Sequence, residues 1–175
     1  MRVGGFPDPD ESLDDGGRRK AEARRIGVTG PVLTSPALAA RQTADAMGLD
    51  AQPDQTLRDL DYGPWSGRTF EAVAAEAPEA FAAWLADPSR AAPGGETFAG
   101  LQVRAAAFLD AQRGVEAPIA AVTHPMTIRA IMAAALDMPA AATFRIDVAP
   151  LSKIVLSFQG VWRLQSLGAD PATAA

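Results

Sequence analysis

The chain contains no cysteine and a single histidine, His124. These two scarcities bound its chemistry before any motif is considered. Without Cys there is no disulfide framework, no thiolate nucleophile and no Cys-based zinc site. With one His, any mechanism that needs two imidazoles is out of reach for this sequence alone. Basic residues are outnumbered, 16 Lys and Arg against 21 Asp and Glu, giving a net charge of −5. General nucleic-acid binding requires a basic surface and is therefore not expected. No apolar run approaches the length of a membrane span, and Met1-Arg2-Val3-Gly4-Gly5 is not a signal peptide. The expectation is a cytoplasmic chain with no membrane partner. A small anionic substrate needs only local positive charge and stays compatible with this balance.

At 175 residues with 48% hydrophobic content, the chain is long enough for one domain with a proper core and short for two. One domain is expected over residues 1–167, with a frayed tail at 168–175. Residues 1–12 read as loop, and 13–26 as a first helix with Asp14 as its N-cap. Pro31 to Ser35 is a short strand that turns at Ser35-Pro36 into a helix ending at Met47, with Gly48 as C-terminal cap. Residues 57–67 form a loop rich in aromatics and charges. One or two helices follow over 69–85, with a break at Pro78. Residues 97–112 carry Phe98, Leu101, Ala105, Phe108 and Leu109 at helical spacing. The apolar run Pro118 to Val122 reads as a buried strand ending near His124, followed by a helix to Leu136. Residues 144–148, 153–158 and 161–167 complete the strands, with Gln159-Gly160 as a hairpin turn. Strands alternating with helices predict an α/β fold, a three-layer mixed sheet flanked by helices.

Four segments place chemistry-bearing groups where such a sheet can gather them: Ser35 with the turn after it, Asp59 in the aromatic loop, Glu96 after Gly94-Gly95, and His124. A histidine at the carboxyl end of a strand lies where α/β sheets hold their ligands, and helix N-termini favour anions. Each segment also has a purely structural reading: a hydrogen-bonded core histidine, a helix start, a charge at a helix N-terminus, aromatics covering a core. No metal-ligand spacing is present, so a metal-assisted hydrolase built on Asp59, Asp61, Glu96 and His124 is disfavoured, and no cofactor is implied.

Order and spacing together carry more than the pieces. Leu13-Asp14-Asp15-Gly16-Gly17-Arg18-Arg19-Lys20-Ala21, Thr34-Ser35-Pro36 with Arg41-Gln42-Thr43-Ala44, Leu57-Arg58-Asp59-Leu60-Asp61-Tyr62-Gly63-Pro64-Trp65-Ser66-Gly67, Pro93-Gly94-Gly95-Glu96 and Val122-Thr123-His124 resemble, in that order, segments of the histidine phosphatase, or phosphoglycerate mutase-like, superfamily. The resemblance runs over roughly residues 6 to 160. It implies phosphomonoester hydrolysis through a phosphohistidine, with two histidines and two arginines around the phosphoryl group and an acid that protonates the leaving group. Carried over by position, His124 is the second histidine and Asp59 or Glu96 the acid. Ser35, Arg41 and, more remotely, Arg2 are candidate phosphate ligands. The implied partner is a small phosphorylated metabolite such as a sugar phosphate, phosphoglycerate or α-ribazole phosphate, and a hydrolase fits the short chain better than a mutase.

The sequence also departs from that pattern. The family opens with a strand ending in arginine-histidine-glycine, which supplies the nucleophile and the first arginine; no such segment is found here. Ala39 stands where the second arginine belongs, and Arg41, two residues on, points to nearly the opposite helix face. Asp59 stands where glutamate is usual. Losing a covalent nucleophile costs on the order of a millionfold in turnover. The chain as given is therefore expected to be inactive or impaired, either as part of a longer reading frame or as a non-catalytic pseudo-phosphatase that binds a ligand or protein. A strand missing from the sheet would leave an exposed edge, which favours a homodimer.

Overall fold

Local side-chain capping sets where three of this chain's helices begin. The computed structural model describes residues 4–24 and 26–168. In chain order it contains α1 (Asp15–Glu22), β1 (Val32–Thr34), α2 (Leu38–Ala46), β2 (Gln52–Pro53), α3 (Phe70–Glu76), α4 (Pro78–Ala86), α5 (Phe98–Gln112), β3 (Ala120–Val122), α6 (Pro125–Leu136), α7 (Ala140–Thr143), β4 (Lys153–Phe158) and β5 (Trp162–Gly168). The side chains of Asp14, Thr69 and Thr97 accept the backbone N–H of Gly17, Ala72 and Gly100, capping α1, α3 and α5. Pro78 opens α4, in the first helical turn where its missing N–H costs nothing. Gly48, at φ +74°, turns the chain out of α2.

The three parallel strands lie in the order β2-β1-β3, with Val32, Leu33 and Thr34 opposite Ala120, Ala121 and Val122. β4 and β5 form a separate antiparallel hairpin with an irregularity between Val155 and Leu156. The chain is thus α/β with helices packed around parallel strands, but the parallel and antiparallel strands make two sheets where one mixed sheet was expected. Among the described residues, no strand pairs with the second edge of β3. For that reason the run read as a buried strand is only partly buried, and Ala121 is exposed.

Three further boundaries shift. The first helix is shorter than residues 13–26, ending where Arg24 N–H turns back onto Ala21. Residues 144–148 are not a strand: successive short turns, Arg145 to Ala142 and Ile146 to Thr143, take their N–H groups, while Phe144 packs on Phe98 at 5.0 Å. Gly168, assigned to the frayed tail, pairs with Lys153 in β5; residues 169–175 lie outside the described residues.

The aromatic loop belongs to the core. Phe6, Tyr62 and Trp65 are buried and, with Phe70, Phe81 and Trp84, make a ring cluster whose centroids lie 5.0–6.4 Å apart. Phe6 enters it from a segment read as plain loop, held by hydrogen bonds to Arg68 and Gly67. On the other side, Phe98, Leu101, Ala105, Phe108 and Leu109 of α5 meet Ala130, Ile131 and Ala133 of α6 in the same cluster. This packing fixes α5 and α6, and with them the loops that carry the polar groups.

Candidate active site

β1 and β3 run parallel, so the residues that follow them emerge at the same end of the sheet. Ser35 follows Thr34 directly, and His124, two residues past Val122, is the N-cap residue of α6. Their side chains meet: His124 Nε2 lies 2.7 Å from Ser35 Oγ. On the other side of the ring, His124 Nδ1 lies 3.6 Å from Asp59 Oδ2. Ser35 is fully buried, whereas the imidazole and the Asp59 carboxylate keep 17% and 14% exposure.

The electrostatics of this pair follow from that burial. Desolvation pushes the Asp59 carboxyl above its ordinary value, against the opposing pulls of His124, the Leu60 N–H and Arg104. Desolvation also pulls His124 below its ordinary value, and Asp59 only partly restores it. The resting ring is therefore readily neutral. A neutral ring that accepts the Ser35 O–H at Nε2 carries its proton on Nδ1, toward Asp59. Raising the carboxyl while lowering the imidazole narrows the difference in proton affinity between the two groups.

Glu96 belongs to the same cluster but is differently engaged. Arg104 of α5 grips it as a fork, Nη2 to Oε2 at 2.7 Å and Nε to Oε1 at 3.2 Å, with 11% and 15% of the two side chains exposed. Arg58 stands 3.9 Å from Oε1. The glycine before Glu96 is required by close approach: a Cβ at Gly95 would collide with the Asp61 carbonyl oxygen, and Glu96 N–H donates to that same oxygen at 2.8 Å. The turn bearing Glu96 and the loop bearing Asp59 are thereby pressed together.

Ser35, Asp59, Glu96 and His124 thus come together from four separate stretches of chain. Arg41 does not join them; it is exposed on α2 next to the buried Ala40, while Ala39 is half-buried. Arg2 lies outside the described residues. Sequence reasoning missed Arg104, Thr123 and Thr127. The available signal was positional: Arg104 is flanked by Leu101, Ala105 and Phe108, so a charged residue abuts the buried stripe of α5. Among the described residues no group of three or more His, Cys, Asp or Glu is arranged to hold a metal, and no helix is long and apolar enough to cross a membrane.

Residues 2–170 match the model of the histidine phosphatase superfamily, branch 1. The chain belongs to this superfamily. Among its relatives is a bifunctional protein of Mycobacterium tuberculosis, 36% identical over 138 residues, which cover 74% of this chain and 38% of that protein. The chain therefore spans about two-fifths of that relative's length. Phosphoserine phosphatase 1 of Hydrogenobacter thermophilus is 28% identical over 148 residues, covering 78% of this chain and 69% of its own. A mycobacterial glucosyl-3-phosphoglycerate phosphatase solved with VO3 superposes with a TM-score of 0.80 at 27% identity, over 96% of this chain and 92% of that one. As a histidine phosphatase superfamily member, the chain presents His124, Ser35 and Asp59 on the histidine phosphatase fold, at the carboxyl end of its parallel strands.

Proposed function

We propose that this chain carries the phosphoryl-binding half of a phosphomonoesterase site, with turnover impaired by the lack of a second imidazole. The observation that carries the reading is the meeting of His124, Ser35 and Asp59 at the end of β1 and β3 where α2 and α6 begin. Helix N–H groups and a protonatable ring suit a phosphoryl oxygen. In this reading His124 is the phosphoryl ligand and Ser35 orients its ring. Asp59, its carboxyl raised by burial, is the acid that would protonate a leaving alkoxide. Glu96, with both oxygens taken by Arg104, holds the loop and tunes the charge around Asp59. The substrate class is a small phosphorylated metabolite, in line with the phosphoserine and glucosyl-3-phosphoglycerate named for similar proteins.

A second reading, a non-catalytic ligand-binding relative, is favoured by one feature: Ala39 and the outward Arg41 leave α2 without a cation at the cluster. The two readings differ in turnover and agree on binding.

The test is calorimetric titration of the 175-residue chain with inorganic phosphate, beside p-nitrophenyl phosphate hydrolysis, for the wild type, H124A and D59N. Phosphate binding that vanishes in H124A is expected, together with turnover on the order of a millionfold below that of an intact phosphohistidine enzyme. Because burial holds His124 below its ordinary value, a bound dianion restores its proton, so binding should take up protons and tighten as pH falls. Absence of phosphate binding in the wild type would overturn the site itself. Turnover unchanged in H124A would place the chemistry elsewhere.

A further inference from the structure

Four consecutive carbonyls, from Thr56 to Asp59, are each held by a side chain from another element. Arg104 Nη1 donates to Thr56 O at 2.8 Å and to Arg58 O at 2.9 Å. Arg104 Nη2 donates to Asp59 O at 3.1 Å. Thr123 Oγ1 donates to Leu57 O at 2.7 Å, and Thr127 Oγ1 to Arg58 O at 2.9 Å. With its two bonds to Glu96, Arg104 uses all five guanidinium protons in a nearly closed environment. Thr123 adjoins His124 in sequence and Thr127 lies in the first turn of α6, so two of the three clamping residues lie within three positions of the imidazole.

We infer that Arg104 is a positioning residue that sets the Asp59–His124 contact, and that Thr123 and Thr127 complete the same clamp. The physical argument rests on geometry. Asp59 lies on a segment outside any long helix or strand, between the short turns at Gln55–Leu57 and Gly63–Trp65. A free loop of that kind cannot keep a carboxylate within 3.6 Å of a ring against the solvation that a small outward movement would restore. A forked guanidinium can, because its donors are rigid and planar, whereas a lysine ammonium offers three donors from one point and cannot reach three carbonyls and both oxygens of a carboxylate at once. The same fork neutralises Glu96, whose charge acts on Asp59. Arg104 therefore ties the turn bearing Glu96 to the loop bearing Asp59. The role deepens the phosphatase reading, since Asp59 is its acid, but the contact it sets exists without substrate.

The lone histidine makes the test direct: its ring resonances need no assignment among others. Histidine NMR titration of D59N in the wild-type background is expected to lower the His124 midpoint, because the carboxylate raises it. The same substitution is then made in R104K, which keeps the charge and removes the fork. The clamp requires the D59N shift to fall to less than half its size in the R104K background, with circular dichroism showing both proteins folded. An equal shift in the two backgrounds would overturn the proposal. Should R104K fail to fold, the cycle is run with T127V, which deletes one donor to Arg58 O from a buried isosteric position. A reduced shift there supports the clamp and an unchanged one rejects it. Phosphate binding plays no part in these readouts, so failure of the functional reading and failure of the clamp are separately visible.

Discussion

At the scale of the residue, Asp59 illustrates the cost of burying a carboxylate. Its carboxyl is raised mainly by burial and receives one backbone N–H, from Leu60 at 2.9 Å, so its ionised form burdens the fold at neutral pH. D59N keeps the Oδ1 acceptor for Leu60 while removing the charge. Thermal melting at neutral pH should therefore find D59N as stable as the wild type or more so, even though the substitution removes the carboxylate beside His124. A loss above about 1 kcal/mol would mean that Asp59 is a structural anchor. Arg104 is the opposite case: its bonds run to charged or carbonyl acceptors at about 1.5–3 kcal/mol for each charge-assisted contact. R104M should thus destabilise severely, where R104K retains part of the network.

At the scale of the element, β3 is the informative one. Its inner edge is paired, with Ala120 N–H on Pro31 O and Val122 O accepting from Ser35 N–H. In a parallel ladder the intervening residue points its backbone groups the other way, so Ala121 N–H faces the edge that no described strand occupies. Hydrogen exchange should find the Ala121 amide much less protected than those of Ala120 and Val122. Equal protection of all three would show that another segment covers the edge. The hairpin β4–β5 tells a related story: Ile154, Leu156 and Trp162 pack on the core, while Leu164 and Leu167 stay half-exposed. Its apolar face extends past the core that covers it.

At the scale of the whole molecule, the site couples to stability through pH. The unfolded imidazole protonates near its ordinary value of 6.5 and the folded one at a lower pH. Below 6.5 the unfolded state therefore binds more protons, and the contribution of His124, complete above that value, is lost on acidification. Asp59 runs the other way. Its folded pKa lies above 3.8, so acidification through its range adds stability that is absent once the group is ionised. Urea denaturation of the wild type and H124Q at about pH 7.5 and about pH 5.5 separates the two. H124Q should gain on the wild type as pH falls. A constant difference would mean that the ring titrates alike in both states.

The sequence by itself determined the α/β class, most of the helices and the polar residues that the fold gathers at one end of the parallel strands. Asp14, Thr69 and Thr97 are local caps, Pro78 is a local break, and the apolar spacing of α5 is a local period, all of which a linear reading detects. The glycine-glutamate turn and the histidine after a strand were legible for the same reason: each depends on neighbours in the chain. Only the tertiary structure decided what these residues do to one another. Nothing in the spacing of Ser35, Asp59 and His124, which are 24 to 89 positions apart, fixes a 2.7 Å contact on one ring nitrogen and a 3.6 Å approach on the other. Nor does it show that Glu96 is already paired, because its partner lies two helical turns along α5. The gap between the two sheets was equally hidden. Strand propensity is local, but pairing is chosen among distant segments, and among the described residues β3 takes its register from β1.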